Sequence, residues 1–227
     1  MDRYAKYAQP YGDLTKLNRS RRILDAVGRD MLQDIVSDYL DTLNTSAAIY
    51  EADGSYAVGI FSSGWCRMMD SASRNLCGDV SDISALSSGK WLCHESCWDA
   101  SRRSIETGKP TEAETDGVRG CHGGIFIYAV PIYAFDEPIG SINFGYGHPP
   151  ADRNTLVQLS QKYKVPLEQM DAVIASNQVA TEKEVDLSKV RLITASRLIG
   201  ALVERYEAQR PDRNMQKLDA IIESLKR

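Results

Sequence analysis

The sequence lacks several features that would place it in a well-known class. It contains no apolar run of the roughly 20 residues that a membrane-spanning helix needs. Its first 22 residues have neither the apolar segment nor the small-residue cleavage site of a secretory signal. It has no excess of positive charge, with 27 Lys and Arg against 31 Asp and Glu and a formal net charge of −4. We therefore expect a cytoplasmic protein that contacts neither a membrane nor nucleic acid directly.

Two kinds of functional sequence are also missing. Gly140, Gly145 and Gly147 accompany a strand-like segment, but no helix with the right opening follows them, so a nucleotide-binding loop is not supported. No kinase, receiver or helix-turn-helix sequence is recognisable in the 227 residues. We expect any output module to be absent or to reside in a partner.

The length and composition fit one domain of the size of a sensor. With 227 residues and 43% hydrophobic content, the chain can bury one good core and carry helical appendages. We predict an N-terminal arm and helix over 1–29, a main domain over 30–180 and C-terminal helices over 181–227. The first 13 residues have no clear period and are predicted to be an irregular arm.

Apolar periodicity predicts most of the helices. Apolar residues recur at steps of three and four from Asp30 to Leu43, which is typical of an amphipathic helix. A second helix is predicted from Glu95 to Thr107, and two more near 151–163 and 167–175. Residues 62–90 are rich in Ser, Gly and Asp and predict loops with short helical pieces.

Two pairs of β-prone segments predict an antiparallel sheet. The first pair surrounds an Asp-Gly turn, and the second surrounds a polar turn at Phe135–Pro138. The segments are Ala47–Tyr50, Tyr56–Phe61, Ile125–Tyr133 and Ile139–Phe144, with a further strand expected within 111–116. The predicted fold class is therefore α+β, with an antiparallel sheet of about five strands flanked by helices and a long C-terminal helix.

The C-terminal helix is predicted to begin near Asp186. Its apolar residues alternate steps of three and four, as in a heptad seam. They are Leu192, Ala195, Ile199, Leu202 and Tyr206. Two interpretations stay open, because such a seam either packs on the protein's own sheet or pairs with a second copy and passes a signal onward. We expect a homodimer, and a short amphipathic helix after Pro211.

The five cysteines all lie between residues 66 and 121. Their odd number and the expected reducing compartment favour thiols over a disulfide framework. Thiolates are strong ligands for zinc and for iron–sulfur clusters, and four of them, or three with an imidazole, complete a site. The gaps between them match no standard zinc-finger or ferredoxin spacing, so the fold must bring them together. The alternative is that they are small buried core residues.

The candidate ligands and pocket residues can be named from these patterns. Their four-residue spacing puts Cys93 and Cys97 on nearly one face of the second predicted helix, if that helix starts early enough to include both. His94, beside Cys93, is predicted to lie on the surface. The candidate metal ligands are Cys66, Cys77, Cys93, Cys97, Cys121 and His122. The candidate pocket residues are Trp65, Trp91, Trp98, Tyr128 and Phe144.

An ordered set of short motifs carries a family resemblance. The motifs are Gly64-Trp65-Cys66-Arg67, Cys97-Trp98-Asp99-Ala100, Cys121-His122-Gly123-Gly124-Ile125, Ala129-Val130-Pro131-Ile132 and Ile139-Gly140. From roughly Leu43 to Gly147, and more loosely through the terminal helix, the chain resembles the PocR-type sensory domain. That domain is a relative of PAS and GAF domains from bacterial and archaeal transcription regulators and histidine kinases. A helix followed by a hairpin is a common beginning for such domains.

The resemblance implies a signal-input domain with a PAS/GAF-like fold. Such a domain binds a small molecule, with diols among the proposed ligands, and passes its occupancy to an output kinase or transcription regulator. The chain departs from the common pattern at Phe144-Gly145-Tyr146-Gly147, and Cys77 and Cys93 are additions. The two added cysteines favour metal binding. The altered strand end argues against the organic ligand proposed for the family.

Three hypotheses follow. The first is a sensor that holds a cysteine-ligated iron–sulfur cluster or zinc ion and responds to a redox or small-molecule signal. The second is a metal-free sensor of a small organic ligand, with cysteines lining its pocket. The third is a thiol-dependent enzyme built on Cys121 with His122 or His94, which lacks an identifiable orienting group. We expect a sensor without enzymatic activity.

Overall fold

A computed structural model describes residues 11–61, 63–115, 118–178 and 180–210, without the side chains of residues 118 and 119. The predicted arm lies largely outside this part of the chain, and the short helix after Pro211 lies wholly outside it. The helices are a short 3-10 helix (Leu14–Leu17), α1 (Arg22–Val27), α2 (Arg29–Leu43), α3 (Gly64–Asn75), α4 (Asp82–Leu86), α5 (Leu92–Thr107), α6 (Arg153–Tyr163), α7 (Leu167–Ala175) and α8 (Glu182–Ala208). The strands are β1 (Ser46–Glu51), β2 (Tyr56–Phe61), β3 (Thr111–Glu112), β4 (Glu114–Thr115), β5 (Val118–Arg119), β6 (Phe126–Ala134) and β7 (Glu137–Tyr146).

The predicted α+β class is confirmed. Five strands form one antiparallel sheet in the order β2-β1-β7-β6-β3, and β4 pairs with β5 separately. Both predicted hairpins are present, and the second turns through Phe135 and Asp136, whose φ angles of 51° and 62° are those of a tight primed turn. That turn is shorter than predicted, because Pro138 already pairs with Tyr133 in the sheet.

The sheet separates two packed layers. One face packs against α1, α2 and α8 in the largest apolar cluster, which includes Leu32, Val36 and Phe144. The other face packs against α5, which contacts both β6 and β7. Since successive side chains of a strand point to opposite faces, neighbouring residues of β7 belong to different layers. Phe144 thus faces α2, while Asn143 bonds the Cys97 carbonyl and the Ser101 hydroxyl of α5.

Two helices differ from the prediction. The twelve-residue α3 occupies a region that was predicted to contain only loops and short helical pieces. The Ser63 side chain accepts a hydrogen bond from the backbone N–H of Cys66 and caps this helix, and Trp65 and Met69 anchor it one turn apart in the core. The predicted α5 begins three residues early, at Leu92, and therefore includes both of its cysteines.

The 27-residue α8 packs on the protein's own sheet. Thr181 and Glu184 cap its start with reciprocal hydrogen bonds, a signal that sequence patterning can detect. Leu192 and Ile199 of the predicted seam are fully buried against the sheet, as the first of the two interpretations requires. Gly200 lies so close to the Tyr133 carbonyl that any side chain there would collide with it. None of the helices described is long and apolar enough to cross a membrane.

Candidate functional site: a four-cysteine cavity

Four of the five cysteines line one cavity beneath the sheet. Cys66 comes from α3, Cys93 and Cys97 come from α5, and Cys121 comes from the loop before β6. The cavity measures about 40 Å³, room for about three water molecules. The rest of its wall is largely apolar and includes Trp65, Met69, Ile125 and Ile127. Cysteines from three separate segments therefore meet at one cavity.

Local structure explains why these thiols converge. Cys93 and Cys97 are one helical turn apart on the face of α5 that meets the sheet. Cys121 begins a tight turn in which its carbonyl accepts the N–H of Gly124, 2.8 Å away. Gly124 has a φ of 80°, and a side chain there would strike Pro150. The glycine pair after Cys121 therefore allows the chain to turn back into β6 beside the cavity.

Hydrogen-bond donors surround the sulfurs. The backbone N–H of Ile125 donates to the Cys121 sulfur over 3.3 Å. The Tyr163 hydroxyl lies beside Cys93 and the Ser46 hydroxyl beside Cys66. Both hydroxyls are buried without a hydrogen-bond partner of good geometry in the described chain. Two buried polar groups thus face sulfur without the strong acceptor that would satisfy them.

Burial keeps the four thiols protonated in the structure as it stands. It raises the pKa of Cys66, Cys93 and Cys97 above the ordinary thiol value. Burial also raises the pKa of Cys121 to about 11, against the N–H donor of Ile125, which lowers it. A thiolate at this site therefore requires a nearby positive charge, such as the charge that a metal supplies.

A buried carboxylate lies close to the cavity. Asp70 is fully buried on α3 and accepts hydrogen bonds from the Tyr11 hydroxyl and from Nε1 of Trp91, the latter at 2.8 Å. Burial raises the Asp70 pKa to about 6, although both hydrogen bonds lower it. Sequence reasoning missed this residue. Its position one turn after Cys66, on the inward face of the helix, was the available signal, but the helix itself was not predicted.

A chain of hydrogen bonds joins β1 and β2 to the first turn of α5. The Tyr50 hydroxyl donates to the Tyr56 hydroxyl over 2.8 Å, and the Tyr56 hydroxyl lies 3.0 Å from Nδ1 of His94. The prediction that His94 lies on the surface was wrong, because it is only 5% exposed. The residues around the cysteine cavity and the tyrosines of β1 and β2 both cover the first turns of α5. Burial lowers the His94 pKa to about 4, so the ring is neutral at neutral pH.

The other candidate ligands lie apart from the cavity wall. Cys77 follows α3, with its sulfur 3.6 Å from the Ser73 carbonyl and 3.5 Å from the Ser88 hydroxyl. Nδ1 of His122 lies 3.2 Å from Nζ of Lys162 on the exposed rim, while its backbone N–H donates to Ser96. The structure therefore brings together Cys66, Cys93, Cys97 and Cys121, and leaves Cys77 and His122 outside that group.

The five candidate pocket residues divide among four places. Trp65 lines the cavity and donates its Nε1 hydrogen to the Gly123 carbonyl over 3.0 Å. Trp91 packs behind it on Asp70, and Trp98 packs on the hairpin turn at Gly54. Tyr128 and Phe144 pair across β6 and β7 on the opposite face of the sheet. There Phe144 stacks on Tyr39 with ring centroids 5.3 Å apart, and Lys189 lies over Tyr128.

The four cavity cysteines are not grouped around one metal-ion position. Within the described ranges, no group of three or more His, Cys, Asp and Glu side chains is arranged to hold a metal ion. The sulfurs instead lie around a space, and each thiol keeps part of its surface accessible although it lies deep in the fold. The arrangement is that of four thiols around a small cavity.

Comparison with known proteins shows the family of the chain. The family model described as the sensory domain found in PocR matches residues 25–200, which is most of the chain. No curated protein and no solved structure matches the chain significantly. The match includes all four cavity cysteines and most of α8.

Proposed function

Because the chain belongs to the PocR sensory-domain family, we propose that it is a signal-input domain whose four cavity cysteines hold an iron–sulfur cluster. The observation that carries this proposal is the convergence of Cys66, Cys93, Cys97 and Cys121 on one cavity. Four cysteine thiolates are the usual ligand set of a four-iron cluster. Such a cluster would supply a redox-sensitive and oxygen-sensitive group, so the signal would be redox state or a small oxidant.

Zinc and a four-iron cluster require different separations of their cysteine sulfurs. Four sulfurs bound to one zinc ion at about 2.3 Å lie only about 3.8 Å from one another. A cubane of four irons holds its four cysteine sulfurs farther apart, because each sulfur binds a different iron. Among the described residues no three such side chains are placed to hold one ion, so zinc is the poorer fit. A core of four irons and four sulfides needs more room than the about 40 Å³ of this cavity, so its binding would move the cavity walls apart.

The donors around the sulfurs also support the proposal. Hydrogen bonds to cluster sulfurs are a main means by which a protein tunes the potential of such a group. The N–H of Ile125 already donates to the Cys121 sulfur. The hydroxyls of Tyr163 and Ser46 would gain charged acceptors if Cys93 and Cys66 became bound thiolates. Apolar walls around them would protect the cluster from water.

The test uses protein purified without oxygen and reconstituted with iron and sulfide. We expect a broad thiolate-to-iron absorption band and about four irons and four sulfides per chain. Cys97→Ser and Cys121→Ser should each lose most of the band and the iron. Cys77→Ser is the matched control, since its sulfur lies away from the cavity, and it should keep both.

Two outcomes would overturn the cluster assignment. One is a full band and iron content in both Cys97→Ser and Cys121→Ser. The other is an equal loss in Cys77→Ser, which would show that iron binds wherever a thiol is available. Circular dichroism of each variant should establish that it is folded before its iron content is compared.

A metal-free sensor is the second candidate. The observation in its favour is the apolar wall of the cavity, together with thiols that burial keeps neutral. The volume of about 40 Å³ is small beside the roughly 300 Å³ or more of common ligand sites, so the ligand would have only a few heavy atoms. A colourless, iron-free protein that binds such a compound in a Cys97-dependent manner would favour this candidate.

A sensory role, in place of catalysis, agrees with the family and with the thiols. A catalytic cysteine needs a lowered pKa and a base within reach. Here burial raises the pKa of Cys121, and the partner of Nδ1 of His94 is the Tyr56 hydroxyl. These contacts favour a bound group at the cysteines over a reactive thiol.

The signal would leave through α8. This helix packs on β6 and β7, whose opposite faces meet α5 and the cavity. Its outward face exposes Leu187, Val190 and Leu198, which are 48%, 62% and 50% accessible. We propose that this row contacts a second copy of the chain, and that an output kinase or transcription-regulator module responds to the pair.

A further inference from the structure

A second, larger cleft lies on the outer side of α5. It measures about 460 Å³, which is within the usual range for small-molecule sites. The 3-10 helix, the hairpin turn between β1 and β2, α4 and the first half of α5 form its walls. Leu14, Leu86 and Trp98 provide apolar and aromatic surface, and Ile83 is 60% exposed. No function considered so far uses this cleft.

A buried histidine lines the cleft with one ring nitrogen uncommitted. His94 is 5% exposed, and its Nδ1 lies 3.0 Å from the Tyr56 hydroxyl. Its Nε2 makes no hydrogen bond to any residue that the structure describes. Nε2 is not among the fully buried polar atoms that lack a partner, so this nitrogen keeps some accessible surface. The cleft, which His94 lines, is where a partner for Nε2 would come from.

The hydrogen-bond chain decides which hydrogen the ring presents. Tyr50 donates to the oxygen of Tyr56, so the hydrogen of Tyr56 is free to bond Nδ1 of His94. On this geometry we assign the hydrogen of the His94 ring to Nε2, because a ring hydrogen on Nδ1 would leave the Tyr56 hydrogen without this acceptor. His94 therefore presents an N–H donor, and a ligand that satisfies it must carry a hydrogen-bond acceptor.

We propose that this cleft binds a small neutral ring compound that carries a carbonyl or similar acceptor, which the Nε2 hydrogen of His94 bonds while the ring packs on Trp98. Two carboxylates at the cleft, Asp53 and Glu95, outnumber the single guanidinium of Arg19. This balance disfavours an anion. The inference is independent of the cluster, because the cysteine cavity and the cleft share no lining residue.

The experiment uses benzamide as the probe for the full chain. Benzamide combines a ring with a neutral carbonyl acceptor. Benzoate has the same size with a negative charge, and acetamide has the acceptor without the ring. Titrations are followed in ¹⁵N-labelled protein through the indole N–H signals of the three tryptophans and the ring nitrogens of His94. We expect saturable shifts at Trp98 and His94 with benzamide, weaker binding of both other probes and no shift at Trp65.

Variants distinguish the proposed contacts from nonspecific binding of the probe. His94→Phe keeps a ring of similar volume without the N–H and should weaken benzamide binding about fivefold. Trp98→Leu should weaken benzamide binding by a similar factor. This second variant keeps the proposal testable if His94→Phe, which changes a buried residue, fails to fold. Tyr133→Leu is the matched control, because this exposed aromatic residue is not part of the cleft wall. Replacing both Asp53 and Glu95 by their amides should improve the binding of benzoate.

Each result decides the proposal. Non-saturating shifts, shifts at Trp65 in place of Trp98, or unchanged affinity in both folded His94→Phe and Trp98→Leu would overturn it. The same titration of Cys121→Ser shows whether the two sites are separate. Benzamide binding that persists in this variant, whatever its iron content, supports a cleft site that stands without the cluster. Loss of benzamide binding in a folded Cys121→Ser would contradict that assignment.

Discussion

Replacing Tyr163 with phenylalanine should stabilise the metal-free protein and weaken its hold on an iron–sulfur cluster. The hydroxyl of Tyr163 is buried, and it finds no acceptor of good geometry among the residues described. It lies beside Cys93, one of the four proposed ligands. A single variant therefore has opposite expected effects in the two states of the protein.

The magnitudes follow from the burial of this group. An unpaired buried hydroxyl costs about 1–3 kcal/mol, so its removal should raise the free energy of unfolding by about 1 kcal/mol. For a chain of this size, that change raises the melting temperature by about 2–4 °C. In the loaded protein the hydroxyl would donate to a charged sulfur, a bond worth about 1.5–3 kcal/mol. Its loss should destabilise that form and lower the reduction potential of the cluster.

The assay is thermal unfolding of both forms, followed by circular dichroism and by the visible band of the loaded form. Tyr128→Phe, on the opposite face of the sheet, is the control and should change neither form by as much. A metal-free Tyr163→Phe protein that melts several degrees below the parent would refute the reasoning, because the hydroxyl would then have a partner. Equal effects in both forms would refute its proposed link to the cluster.

Two further predictions concern the ends of the domain. Burial raises the pKa of Glu51 despite hydrogen bonds from Ile23, Leu24 and Asn18, so its ionisation opposes folding. The free energy of unfolding should therefore fall as pH rises from about 4.3, the pKa of an unperturbed Glu, through the raised pKa of Glu51 in the folded protein. Denaturant unfolding at several pH values should show this loss in the parent and not in Glu51→Gln. The double variant Val190→Glu and Leu198→Glu should be a monomer in analytical ultracentrifugation where the parent is a dimer. Because both side chains are exposed, the melting temperature should fall by no more than about 2 °C. A variant that remains dimeric would show that this face of α8 is not the dimer interface.

The elements that sequence patterns predicted are those whose signals are local. The period of α2, the Asp-Gly turn of the first hairpin and the strands β6 and β7 all depend on residues a few positions apart. The one-face arrangement of Cys93 and Cys97 was predictable for the same reason. In contrast, α3 is stabilised by the burial of Trp65 and Met69 beneath distant elements, which its Ser-rich and Gly-rich surroundings conceal.

The composition of the site depended on tertiary packing. The patterns suggested Cys77 and His122 as readily as Cys93 for the fourth ligand, and only the path of the loop between α3 and α5 removes Cys77 from the group. Tyr128 and Phe144 share their strands with residues of the cavity face, and a shift of one position decides the layer to which each belongs. His94 was misjudged because both sides of the first half of α5 are covered.

Direct backbone contact at Gly200 couples the orientation of α8 to the position of β6. At Gly200 the helix rests on the carbonyl of Tyr133 with no side chain between them, so no soft layer is present there to absorb a displacement of β6. The helix is roughly 40 Å long, and its N-terminal end lies about 27 Å from this point. A tilt of only about 5° at Gly200 would move that end by about 2 Å. A small displacement of β6 beside the cavity could therefore move a surface that lies about 27 Å away.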